Sequence, residues 1–135
     1  MTDIKETLKK FLTTEGYLPT LEGAGLVFKK EGRTYFTFPD AADPNFFNLY
    51  SYFDFADAVP NRTIGMEAAN DVNKAVKAVK VTLMEEEKPG RVSFGMEVPL
   101  PLPESFPGIF ERSLNTIGYA VEQFAERVKA RTPTS

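Results

Sequence analysis

The sequence predicts an α+β fold of two layers: an antiparallel sheet of about five strands with helices packed on one face, in the order α-β-β-β-α-β-β-α. Three observations predict it. Apolar residues recur at three- and four-residue steps in three separate stretches. Between those stretches they alternate with polar residues at a period of two. The strands also come in groups rather than singly between helices, which favours antiparallel pairing with one face covered. At 135 residues a single domain, 1–135, is expected, burying roughly two-thirds of its unfolded surface.

Ile4, Leu8, Phe11 and Leu12 share one helical face, and Asp3 with Glu6 has the form of a capping box. Gly16 and then Pro19 should end this first helix near Glu15. Leu26 and Phe28 alternate with Val27 and Lys29; Thr34, Phe36 and Phe38 alternate with Arg33, Tyr35 and Thr37. Glu31-Gly32 between the two runs suits a tight hairpin turn. After the loop Pro39 to Pro44, the run Phe46 to Phe55 reads as a longer strand. It places Phe47, Leu49, Phe53 and Phe55 on one face and Phe46, Asn48, Tyr50, Tyr52 and Asp54 on the other.

Ile64, Ala68, Val72, Ala75 and Val76 then return to helical spacing, with Asn61 or Thr63 as cap and an end near Lys77. A second hairpin follows: Val79, Val81 and Leu83, a turn containing Pro89 and Gly90, then Val92, Phe94, Met96 and Val98. Past the proline-rich Pro99 to Pro103, Ser105 can cap a helix whose stripe runs from Phe106 through Phe110, Leu114, Ile117, Val121 and Phe124 to Val128. Its length, on the order of 35 Å, is more than one side of a small sheet requires, so part of it is expected to overhang and meet a partner.

The composition removes several functions. With no cysteine and no histidine, disulfides, thiolate chemistry and the commonest metal ligand are unavailable, and no cofactor is expected. A net charge of −3 with scattered basic residues argues against nucleic acid as a partner. No apolar run approaches the roughly 20 residues of a membrane helix, and the charged start lacks the pattern of a secretory signal. A cytoplasmic location is expected.

The order of elements, together with particular words, resembles the YbjN-type bacterial domain family. The words are Phe11 with Glu15-Gly16-Tyr17 and Pro19, Phe28 with Lys30-Glu31-Gly32, and Asp43-Pro44 with Phe46-Phe47 and Leu49. Ala69-Asn70, Val72-Asn73, Lys80-Val81, Glu97, Phe106, Phe110 and Leu114 complete the set. The resemblance implies a fold like that of type III secretion chaperones and a habit of pairing with other chains or with itself. It implies no catalytic residues, and the chaperone comparison concerns the fold alone.

The strand face away from the helices is expected to carry Tyr35, Thr37, Tyr50, Tyr52, Lys80, Thr82, Ser93, Gly95 and Glu97. Tyrosine offers contact area at little entropic cost, so Tyr35, Tyr50 and Tyr52 with Phe46 form a candidate protein interface. The same rings could instead merely stabilise cross-strand pairs on a wet face. Asn70 and Asn73, one helical turn apart, form with Glu97 a candidate polar network, either a ligand site or bonds to a neighbouring backbone. Asp40, Asp43 and Asp54 match no cation-binding loop, and Glu85, Glu86 and Glu87 read as a solvated hairpin tip. Ser51, Ser93 and Ser105 lack a nucleophile motif, and the glycines at 23, 25 and 32 fit no phosphate cradle.

The functional expectation is a non-enzymatic protein-interaction or chaperone-like regulatory module that self-associates as a homodimer. The alternative is a small-molecule-binding or enzymatic domain with its pocket near Asn70, Asn73 and Glu97.

Overall fold

The computed structural model describes residues 4–100 and 102–133. Helix α1 (Ile4–Thr14) closes in a Schellman motif, in which Gly16, at φ 94°, lets the Tyr17 amide reach the Leu12 carbonyl at 2.9 Å and its own amide reach Thr13 at 3.1 Å. The expected capping partner Asp3 lies outside the described residues. Strands β1 (Thr20–Glu22), β2 (Gly25–Lys30) and β3 (Arg33–Thr37) follow as a meander. The β2–β3 turn has both Glu31 and Gly32 at positive φ, 51° and 79°, the arrangement of a two-residue hairpin whose twist matches its strands.

Strand β4 (Phe46–Asp54) ends one residue earlier than its aromatic run suggests, because Phe55 opens a one-turn helix, α2 (Phe55–Ala58). Helix α3 (Arg62–Ala75) is capped by Asn61, whose side-chain oxygen accepts from the Ile64 amide at 3.0 Å. Strands β5 (Lys80–Met84) and β6 (Arg91–Pro99) form the second hairpin. A 3₁₀ turn at Pro103–Ser105 leads into α4 (Phe106–Arg131), and Ser105 makes no side-chain cap.

All six strands pair antiparallel in the order β1-β2-β3-β4-β6-β5. The α+β, one-face-covered architecture is the expected one, with a sixth strand. That strand, β1, is three exposed residues long, too short for alternation to announce it. Leu8 and Leu12 of α1, Ala68 and Val72 of α3, and Phe110, Ile117 and Phe124 of α4 share one core with the covered face of the sheet. The sheet contributes Leu26, Phe28, Tyr35, Phe47, Leu49, Val81, Phe94 and Met96.

Two expectations are corrected. Tyr35 and Thr37, placed on the free face by sequence, are 2% and 1% exposed within the core, and Phe36 points the other way, toward Tyr52. The hairpin register decides this: Phe28 lies directly opposite Tyr35 and Leu26 opposite Thr37. Cross-strand partners share a face, so burying Leu26 and Phe28 buries Tyr35 and Thr37 with them. The Tyr35 ring stacks on Phe28 at 5.5 Å.

The second correction concerns α4. Its buried residues run from Phe110 to Val128, and its last turn is tied to α3 by Arg131, which reaches Glu67 and Asp71 at 2.7 Å each. The helix spans the covered face and α3, so its length is spent on the core and no free overhang results.

Candidate protein-binding face

The open side of the sheet is built from alternate residues of β3, β4, β6 and β5. Phe36 and Tyr50 are register partners at the β3–β4 junction. Tyr50 lies opposite Gly95 and Tyr52 opposite Ser93 on β6, and Lys80 and Thr82 of β5 lie opposite the same Gly95 and Ser93. Phe38, just past β3, completes a group of four rings. Phe36 meets Tyr52 edge-on at 5.2 Å, Phe38 meets Tyr50 at 5.8 Å, Tyr50 stacks on Tyr52 at 6.0 Å, and Phe36 runs parallel to Phe38 at 6.4 Å. Such offset and edge-on contacts are the favoured aromatic geometries.

Two glycines make the ledge possible. A Cβ at Gly95 would fall 2.5 Å from the Tyr50 ring, and one at Gly25 would fall 2.8 Å from the Phe38 ring. Each ring therefore lies flat on a backbone that only glycine leaves bare. Burial raises the pKa of Tyr50 above its ordinary value, and the nearby Glu97 carboxylate pushes the same way. Burial likewise raises Tyr52, with Arg91 opposing; its guanidinium sits 5.3 Å from the ring centre. Both hydroxyls are thus neutral donors across the physiological range.

A shallow groove of about 430 Å³ runs along this face, walled by Phe38, Tyr50, Tyr52, Lys80, Thr82, Met84, Glu86, Ser93, Gly95 and Glu97. Lys80 pairs across it with Glu97 at 3.0 Å, Glu86 adds a second carboxylate to its wall, and Arg91 beside it pairs with Glu87 at 2.8 Å.

The two polar helix residues stand elsewhere. Asn73 of α3 donates to the Val81 carbonyl at 3.1 Å and accepts from the Val81 amide at 2.8 Å. Its amide acts as a partner strand one residue long, capping the outer edge of β5. Asn70 is exposed and shares a groove of about 360 Å³ with Asn73, Arg62, Met66, Leu83 and Glu85. Glu97 lines the other groove, on the open face. The three residues offered as one polar network are therefore divided between two surfaces, and no common pocket joins them.

Phe46, 49% exposed, sits at the far end of β4, where it lines a separate cavity with Phe47 and Phe106. Two residues of the open face escaped the sequence reading as contributors: Phe36 and Phe38, assigned to the core. Asn48 escaped it as well. Its side chain accepts from the Phe38 amide at 2.7 Å and donates to the Phe38 carbonyl at 2.8 Å, holding the end of β3 beside β4. Among the described residues, no group of three or more acidic side chains is placed to hold a metal ion.

No family model and no curated protein matches the chain. Among solved structures, the crystal structure of YbjN, "a putative transcription regulator from E. coli", superposes with a TM-score of 0.68 at 13% identity. The match covers 86% of this chain and 87% of that one. The chain has the YbjN fold. At such low identity the likeness to YbjN speaks for the fold alone. Among the described residues no helix is long and apolar enough to cross a membrane.

Proposed function

We propose that the chain is a non-enzymatic regulatory module that acts by binding protein, and that its partner on the open sheet face is a second copy of itself. The observation that carries the reading is the four-ring ledge on that face, left uncovered while the opposite face is sealed by three helices. Tyrosine and phenylalanine at the centre of a patch with charges at its margin is the composition of a protein interface core and rim. The groove carries both signs, Lys80 beside Glu86 and Glu97, so a twofold mate can set the lysine of each copy against a carboxylate of the other.

The area suits a weak contact. Two nine-residue and two five-residue strands, about 4.8 Å apart at about 3.4 Å per residue, offer on the order of 450 Å² per partner, in the class of transient interfaces. A self-pairing regulator in the cytoplasm, without nucleic acid or membrane as partner, accords with the acidic balance of the chain; of the description of YbjN as a transcription regulator, the reading shares the regulation and not the nucleic acid.

Sedimentation equilibrium tests the reading. The protein should sediment as a dimer, and Thr82→Glu, a substitution at an exposed position on the groove wall, should shift it to monomer with native circular dichroism and remove the concentration dependence of melting that dimerisation gives the wild type. A monomeric wild-type protein at the highest attainable concentration would refute self-pairing.

A further inference from the structure

We propose that the chain also binds an uncharged aromatic small molecule of bicyclic size, in the cavity between α1, the start of α4 and the ends of β3 and β4. This cavity of about 320 Å³ is distinct from the open sheet face and stands whether or not the chain pairs with itself. Its volume falls within the range of small-molecule sites.

The walls decide the chemistry. Among the described residues no charged side chain lines the cavity, which excludes phosphates, nucleotides and buried carboxylates. Leu8, Phe11, Phe47, Leu100 and Phe106 supply its apolar surface. Polar atoms come from Thr7, Thr37 and Asn48, and both ends of the Asn48 amide are engaged by the Phe38 backbone. Ordered water needs two to four polar partners. Thr7 and Thr37 offer at most two such side-chain partners, the low end of that range, so water here is held by few bonds and an apolar group displaces it at modest cost.

An aromatic occupant fits better than a flexible chain. Phe106 meets Phe11 edge-on at 4.7 Å and Phe47 edge-on at 5.3 Å, so the rings are fixed before anything enters. A preformed aromatic wall offers edge and face contacts to another ring, and a rigid ligand loses few rotors on binding where an acyl chain loses many. At about 30 Å³ for each water the space takes roughly ten waters, room enough for indole or naphthalene. Phe46, half exposed at the mouth, is placed to act as the entrance. Thr37, 1% exposed, is the lining residue that belongs to the buried core.

Indole is the probe. The chain contains no tryptophan, so indole fluorescence can be followed without protein background at long excitation wavelength. A saturable blue shift with one site per chain is expected, together with ring-current shifts of the Leu8 and Leu100 methyl resonances in the wild-type protein. Leu100→Phe, which narrows the cavity, should weaken indole binding by about tenfold while the methyl spectrum elsewhere stays native. The methyl shifts need no variant, so a misfolded substitution does not blunt the test. Non-saturable fluorescence, or shifts that spare Leu8 and Leu100, would overturn the proposal. So would 1-decanol displacing indole at lower concentration than naphthalene does, since the site would then be built for an acyl chain.

Discussion

The two faces of the sheet carry similar side chains and face different fates. On β4, Phe47, Leu49, Ser51 and Phe53 turn toward the helices, while Asn48, Tyr50 and Tyr52 turn away. Under the helices, Phe94 is wedged edge-on between Phe53 at 5.7 Å and Phe124 at 5.4 Å. On the open side, Tyr52 meets Phe36 edge-on at 5.2 Å, an arrangement just as close. Ring density therefore does not separate core from surface in this protein. What separates them is the second layer: helices contribute partners on one side, and on the other the rings lie on bare glycine backbone and are fringed by charge.

Truncation tests that difference most directly. Phe94→Ala should cost about 3–5 kcal/mol, the range for emptying a closed aromatic site, whereas Tyr52→Ala should cost about 1 kcal/mol, the scale of cross-strand pair contributions. Urea unfolding of the two variants reads the contrast. Equal losses would mean that the open face is as much a core as the covered one, and the case for a binding surface would weaken accordingly.

Most of this architecture was legible in the sequence, and the misplaced strand shows where legibility ended. The periods of α4, β4, β5 and β6 match the observed buried face, because each of those segments has a clear apolar side; in α3 Ile64, Ala68 and Val72 are buried as expected, whereas Ala75 is exposed and Gly65 and Ala69 are buried instead. In β3 the choice lay between Phe36 with Phe38 and Tyr35 with Thr37, and hydropathy favours the wrong pair. The turn contained the answer. A two-residue loop at Glu31-Gly32 fixes Phe28 opposite Tyr35, so the face chosen for β2 dictates that of β3. The length of α4 misled for another reason: a helix can cross the sheet and continue along α3, and sequence does not reveal the neighbour. Asn48, Asn73 and Glu97 show the same limit for the site, since a helix or strand position says nothing about which backbone an amide will meet.

Two smaller effects sharpen the comparison at the margins of the sheet. Asn73→Ala leaves the Val81 amide and carbonyl without their side-chain partner on the edge of β5, and should cost about 1–3 kcal/mol with faster hydrogen exchange at Val81. An unchanged Val81 exchange rate would show that water replaces the amide at no cost. Gly95→Ala drives a methyl group into the Tyr50 ring and should cost about 1 kcal/mol, the low end for overpacking, because the ring can tilt toward solvent. The double variant Gly95→Ala/Tyr50→Ala should recover part of that loss. Additive losses in this cycle would mean that the clash is relieved elsewhere.

The smallest effect is confined to alkaline pH and follows from the two open-face hydroxyls. Burial raises the pKa of Tyr50 and Tyr52 in the folded chain above the ordinary tyrosine value of 10.0. The unfolded chain therefore loses these protons first as pH rises. Their contribution to stability is complete below pH 10 and is lost as pH climbs through the raised folded values. Tyr50→Phe and Tyr52→Phe remove the ionisation, so alkaline unfolding of the double variant should move to higher pH. Tyr17 is raised by burial as well, so part of the alkaline transition should remain in that variant. Covering by a second copy would desolvate Tyr50 and Tyr52 further, so tyrosinate absorbance should appear later in concentrated than in dilute protein. Identical titrations at the two concentrations would place those rings in water in the assembled state, and would separate the open face from whatever contact holds two copies together.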